Sequence, residues 1–312
     1  MSNPKLSILM PVYNAEAYVV QAIQSILNQS FVDFELIIAD DGSTDDSKKI
    51  IDSFNDPRLR RVHNNTNLGK TGTINHLFPL ARGKFCSIHD ADDYSEVDRF
   101  ECQIDFMESN DVGICGTSFR TILENGDFFS ETKMNFTNDS IERDIQNQSQ
   151  FHGPTTVFLK ELADNLDGIY RTYFNNNFED IDLCYRILSQ TKGANLGESL
   201  YNYRILPNSL CRKEVTVKNR NLYKVVYHLF DQRKNGKDDL ELNLEGKVDD
   251  FFQGITSHYF KDTSLIYREA ASYYMYYKLY GSAVKSSWKA FFKNPLELIN
   301  LRTLLYCIRK SI

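Results

Sequence analysis

Apolar positions in the first half of the chain follow two alternating rhythms. Leu6 to Pro11 is a short, mostly apolar run, and Val19, Ala22, Ile23, Ile26 and Leu27 then recur at the spacing of one helix face. Phe34 to Ala39 repeats the run. Ser43, three residues before Asp46, reads as a capping arrangement that opens a helix carrying Ile50, Ile51 and Phe54. Leu59 to His63 is a third run, followed by a glycine-containing loop and a helical stretch ending at Gly83; Lys84 to Asp90 is a fourth. Strand and helix alternating with crossovers of this length predict right-handed parallel units, and hence an α/β sheet covered on both faces.

Two of these runs end in acid. Asp40 and Asp41 close the second, and Asp90, Asp92 and Asp93 follow the fourth. Ligands of such sheets bind beyond the carboxyl ends of the strands, so the pattern places both clusters at one rim. Carboxylates facing each other repel, which predicts a cation and a donor-rich ligand between them.

After Gly116 the rhythm changes. The stretch around Asn125-Gly126 reads as a hairpin with a two-residue turn, and Gly153 to Lys160 as a strand. In Glu179 to Leu188, the residues Ile181, Cys184, Tyr185 and Leu188 mark one face of a helix. A last strand and an exit loop through Leu210 close a first domain at residues 1–212. From about Val215 the texture is helical, with Asn235 to Asp239 as a loop, which gives a second region at 213–312. There Ala270, Ala283 and Ala290 alternate with aromatics, loosely like tetratricopeptide units, which cannot bury a face alone. This region is expected to pack on the first domain or on a partner, a homodimer included. Its tail interleaves Lys285, Lys289, Lys293, Arg302, Arg309 and Lys310 with Trp288, Phe291, Phe292 and Leu305, a pattern shared by a helix in peripheral contact with a membrane and by an ordinary amphipathic surface helix.

Composition narrows the class. At 312 residues the chain exceeds one ordinary domain, and 42% apolar with 25% charged residues is globular. A net charge of −6 argues against a nucleic-acid partner. Six cysteines without a CxxC pair (Cys86, Cys102, Cys115, Cys184, Cys211, Cys307) read as reduced thiols rather than a zinc site or disulfide scaffold. With no secretory leader at Met1, and no run of the roughly 18 to 20 apolar residues a bilayer span needs, the expected location is cytoplasmic, with peripheral contact at the inner membrane face.

Four ordered segments carry a resemblance. "SILMPVYN" through "LIIADDGSTDDS", then "NNTNLGKTGTINHLF", then "IHDADD", then "FEDIDLCYRIL" are similar to the inverting glycosyltransferases of the GT-A fold, family two, over residues 5 to 210. The resemblance implies a mixed Rossmann-like GT-A sheet, a metal (Mn²⁺ or Mg²⁺), a UDP-sugar donor, and a glycan or lipid-linked acceptor in cell-surface polysaccharide synthesis. Pro11, Val12 and Tyr13 would hold the uracil, the aromatic ring offering a flat face. Asp41 would accept from the uracil N–H, Asp40 capping the next turn, with Asn67 and Lys70 near the nucleotide. Asp90, Ala91 and Asp92 form the DxD motif, Asp92 the direct metal ligand and Asp90 on ribose or a metal-bound water; Asp93 reads as a solvated loop acid. Asp180 would be the base that takes the acceptor proton, kept ionised by the helix N-terminus. Glu179 and His152 would lie on the acceptor side.

Three other readings compete. A non-catalytic module of the same fold, docking through its C-terminal helices, is the alternative that Asp90, Asp92 and Asp180 oppose. A sugar nucleotidyltransferase needs a Gly- and Arg-rich loop where this chain has "PVYNAEAY". A processive synthase needs a QxxRW segment and membrane spans, so one sugar per acceptor visit is expected.

Overall fold

The computed structural model describes residues 3–166, 168–174, 177–206, 215–236 and 244–311. The chain divides into two compact units: 1–209 with 226–237, and 210–225 with 238–312. Cys211 and the expected exit loop and domain boundary near 212 lie outside the described residues, as do residues 237–239 of the expected loop.

In chain order the first unit begins β1 (Leu6–Val12), α1 (Val19–Leu27), β2 (Phe34–Asp40), α2 (Ser47–Ser53), β3 (Leu59–His63), α3 (Gly69–Leu77), β4 (Phe85–Ile88) and β5 (Tyr94–Ser95). It continues with α4 (Arg99–Asn110), β6 (Ile114–Ile122), β7 (Phe128–Thr132), α5 (Asn138–Asp144), β8 (Val157–Leu159), α6 (Glu161–Asp164), α7 (Glu179–Leu188) and β9 (Gly193–Arg204). One mixed sheet of order β3-β2-β1-β4-β8-β6-β9-β5, with β7 beside β6, joins all nine strands. The first four strands in that order are parallel, while β8 is antiparallel to both β4 and β6. This is the mixed GT-A sheet, and its parallel half is the part that the strand-helix rhythm predicts.

Every residue of β2 is buried, as a parallel strand covered on both faces requires. Ile8, Met10, Leu36 and Ile38 pack with Val19, Ile23 and Ile26 of α1 and Phe100 and Ile104 of α4 in one core cluster. Each such fully buried side chain contributes roughly 1.5–3 kcal/mol relative to exposure.

Local expectations shift in four places. The first helix-start signal sits too early: α2 begins at Ser47, whose N–H donates to Asp45 Oδ1, while Ser43 Oγ accepts from Asn14 N. The hairpin between β6 and β7 closes through a longer loop, because Asn125 and Gly126 are spent on a turn of their own: Gly126 N donates to Leu123 O. Gly153–Thr155 forms a short 3₁₀ turn ahead of β8 instead of extending the strand. Helix α7 is buried on all sides except at Asp180, not on one face.

In the second unit lie α9 (Leu244–Lys261), α10 (Leu265–Tyr276), α11 (Tyr280–Lys293) and α12 (Leu298–Ser311), while α8 (Val217–Lys234) belongs to it only through Val225. Ala271, Ala283 and Cys307 form the small core that lets α10, α11 and α12 approach. The fully buried Asn300 fixes α12: its Nδ2 donates to Ser264 Oγ and Asn294 O, and its Oδ1 accepts from Arg268. No described helix is long and apolar enough to cross a membrane. Cys86, Cys115, Cys184 and Cys307 are buried free thiols, and Cys102 is a half-buried one.

Candidate functional site

The site starts where β1 ends. Leu9 C=O accepts from His89 N, the last bond of β1 on the β4 side, and Pro11 faces that side past the end of the ladder, where its missing N–H leaves nothing unpaired. Val12 is buried and Tyr13 is 48% exposed. Asn14 takes a left-handed turn (φ 49°), and its Oδ1 accepts from Thr44 N at 2.8 Å, tying this loop to the one after β2.

The pair at the end of β2 is structurally committed. Asp40 Oδ1 accepts from Ser43 N, the capping role expected of it. Asp41 Oδ1 accepts from Asn64 Nδ2 at 2.8 Å and from Leu68 N at 2.9 Å, so it pins the loop between β3 and α3. Asn67 is exposed, and its Oδ1 accepts from Gly69 N at the start of α3. The acidic clusters therefore find their donors separately: backbone and amide N–H groups for Asp41, and an ammonium for Asp90.

That ammonium is Lys70, whose Nζ lies 2.5 Å from Asp90 Oδ1. Burial alone would lower the Lys70 pKa, but Asp90, Asp180 and Glu179 outweigh it and hold the pKa well above the usual lysine range. Asp92 is pushed up to about 6, by burial first and by Asp90 second. Ala91 between them is buried. Asp93, expected as a solvated loop acid, is buried instead. Its Oδ2 accepts from Tyr201 Oη at 2.8 Å and its Oδ1 from Arg204 N at 2.7 Å, because β9 runs beside this loop through β5. Arg204 Nε also donates to Asp92 O at 2.8 Å, so β9 fixes the backbone of the DxD loop.

On the other side, Asp180 occupies the first turn of α7, after Phe178 in a left-handed conformation (φ 65°). Its Oδ1 accepts from Ile181 N at 2.9 Å. The carboxylate lies so close to Gly153 that a Cβ there would fall 2.3 Å from Asp180 Oδ2. Contrary to the expectation from the helix N-terminus, burial raises the Asp180 pKa, with Lys70 the main opposing influence. Glu179 is buried, with Oε2 lacking a hydrogen-bond partner among the described residues and its pKa raised to about 7 by burial and by Asp180. His152 stacks on Phe119 (4.3 Å, 20°) and meets Tyr203 edge-on; burial lowers its pKa to about 4, so it is neutral at physiological pH.

Lys70 thus gathers Asp90, Asp180 and Glu179 into one electrostatic cluster, whereas Asp41 and Asn67 serve the neighbouring loop. Sequence reasoning missed Gly153, Tyr201 and Arg204. The glycine stands beside His152 in "FHGPTT", a usable signal; Tyr201 and Arg204 reach the DxD loop across more than a hundred residues, and no local pattern marks them. Among the described residues no three His, Cys, Asp or Glu side chains assemble to hold an ion. Asp90 and Asp92, two carboxylates on one loop, are the oxygen donors a hard cation takes, with its remaining ligands from elsewhere; a cation would offset both the burial and the neighbouring Asp90 charge that raise Asp92.

The mixed sheet with carboxylates gathered past its strand ends is the GT-A architecture. The sequence model described as "Glycosyl transferase family 2" matches residues 7–175, more than half of the chain; the chain belongs to that family and is a glycosyltransferase. It is 33% identical over 205 residues to the O-antigen biosynthesis glycosyltransferase WbnJ of Escherichia coli, covering 64% of this chain and 79% of WbnJ. S. aureus TarS 1-349, solved in complex with UDP-GlcNAc, superposes with a TM-score of 0.61 at 18% identity, over 98% of this chain and 88% of that one. The longer TarS chain is matched over 43% of its length. Mannosyltransferase PcManGT from Pyrobaculum calidifontis, solved with GDP-Man and Mn²⁺, gives a TM-score of 0.58 at 15% identity, over 100% of this chain and 88% of its own.

Proposed function

We propose that the enzyme moves one sugar per acceptor visit from a UDP-sugar to a hydroxyl of a glycan or lipid-linked acceptor in cell-surface polysaccharide synthesis, inverting the anomeric carbon. The observation that carries this reading is Asp180 held against Gly153 within reach of the charges of Lys70 and of Asp90 in the DxD loop. Asp180 takes the acceptor O–H proton while that oxygen bonds to the anomeric carbon, and the bond to the nucleoside diphosphate breaks with its electron pair leaving on phosphate. Lys70 favours the ionised carboxylate that accepts the proton. Pro11, Val12 and Tyr13 hold the base, with the Asp41 loop and Asn67 shaping that end of the pocket.

Asp92, with Asp90, would hold Mn²⁺ or Mg²⁺, which supplies charge neutralisation at the diphosphate. The complexes of TarS 1-349 with UDP-GlcNAc and of PcManGT with GDP-Man and Mn²⁺ support a nucleotide-sugar donor and a divalent ion. Residues 1–212 form the catalytic part of this proposal and 213–312 an accessory part, at a cytoplasmic location with peripheral contact at the membrane or a homodimer contact.

Thermal melting with UDP and several UDP-sugars, with and without Mn²⁺, tests it on the wild type and Asp92→Ala. A ligand at a hundred times its dissociation constant adds about 2.7 kcal/mol of stability. A metal-dependent shift in the wild type that Asp92→Ala loses is the expected result; a cooperative melt that no UDP ligand moves overturns the donor assignment.

A further inference from the structure

Around the link from α11 to α12 the C-terminal unit turns large apolar side chains outward. Trp288 is 40% exposed, Phe292 73%, Leu296 92% and Leu298 67%. They follow one another around a corner: Trp288 and Phe292 one turn apart near the end of α11, Leu296 in the link, and Leu298 opening α12. The Trp288 and Phe292 rings stack at 5.3 Å and 21°. On α11 this face is opposite the buried stripe of Ala283, Ser286, Ser287 and Ala290. Lys285, Lys289 and Lys293, all exposed, follow its flank at four-residue spacing. On α12 the exposed Leu301 and Leu305 continue the apolar stripe, with the exposed Arg302 and Arg309 along one flank of it.

Charge separates the candidates for what covers this corner. From Tyr280 to Ile312 the sequence has six cations against the single acid Glu297, in a chain whose net charge is −6. A second copy meeting the corner through the same patch would bring these cations face to face, which a two-fold contact cannot avoid. An anionic surface gains from every one of them. We propose that the α11–α12 corner docks on an anionic phospholipid bilayer, with Trp288, Phe292 and Leu296 entering the headgroup boundary and the lysines lying over the phosphates. This commits the peripheral contact named above to one surface. It depends on neither donor nor chemistry, so vesicle binding and turnover fail independently.

Trp288 is the only tryptophan of the chain, so its fluorescence reports on this corner alone. The full chain is mixed with vesicles of phosphatidylcholine, with or without phosphatidylglycerol, and followed by Trp288 emission and by flotation. A blue shift with co-flotation on the anionic vesicles is expected. Replacing Lys285, Lys289 and Lys293 together by Gln lowers affinity for them about 100-fold, from roughly fivefold for each lysine near an anionic surface. Phe292→Ser with Leu296→Ser removes the blue shift while the melting transition stays in place, since both side chains are exposed. Absence of shift and flotation with anionic vesicles overturns the proposal, as does equal binding by the triple lysine variant. A blue shift that instead grows with protein concentration without lipid, alongside a dimer in sedimentation, also overturns it and assigns the corner to self-association.

Discussion

Adding one methyl group at Gly153 puts the assignment of Asp180 to its sharpest trial. The new Cβ would lie 2.3 Å from Asp180 Oδ2, 2.4 Å from its Cβ and 2.6 Å from its Cγ. Ordinary contact between such atoms is about 3.5 Å, so Asp180 must retreat by about 1 Å. The glycine does not occupy a left-handed conformation, so Gly153→Ala acts through this clash and not through backbone strain. A 1 Å misplacement of a catalytic group costs about 100-fold in rate, or about 2.7 kcal/mol of barrier. Crowding of this kind costs the fold about 1–3 kcal/mol, which a melting curve measures separately. The assay is steady-state transfer or slow donor hydrolysis, with Asp180→Asn alongside. The expected result is a hundredfold lower kcat with donor KM nearly unchanged, because Pro11, Tyr13 and the DxD loop are untouched. A folded Gly153→Ala enzyme with kcat within a few-fold of the wild type would refute the claim that the position of Asp180 governs the chemistry.

Other outcomes follow from the same cluster. Lys70→Met removes the cation that pulls the Asp180 pKa down, so the limb of the pH–rate profile that reports the base moves to higher pH; an unmoved limb excludes Asp180 as that base. Tyr201→Phe leaves Asp93 Oδ2 without its 2.8 Å donor and lowers stability by about 1–3 kcal/mol in denaturant titration. Stability also responds to pH through His152. Its folded pKa of about 4 lies below its value in the unfolded chain, so on acidification the unfolded state binds a proton first, and stability falls between pH about 6.5 and about 4 and levels below. Discounted for partial exposure, the His152 contribution is about 2 kcal/mol, and His152→Gln should flatten that part of the melting profile.

The period of the apolar residues determined the parallel half of the sheet, because strands buried on both faces read as continuous runs and each crossover helix must show one apolar stripe. Fixed offsets from the strand ends marked Asp40, Asp41, Asp90, Asp92 and Asp93, since chain direction places those residues at the rim, whereas Asp180, in the first turn of α7, was marked only by the segment that resembles the family. The antiparallel half was less legible. β5 is two residues long and β8 three, too short for any periodicity, and their places in the sheet come from pairing with β9, β4 and β6. Tertiary structure alone decided what each acid touches. It buries Asp93 under Tyr201 and Arg204, commits Asp41 to the loop before α3, and brings Lys70 to Asp90. A carboxylate's role depends on desolvation and on the charge a few ångströms away, and both are set by residues distant in the chain.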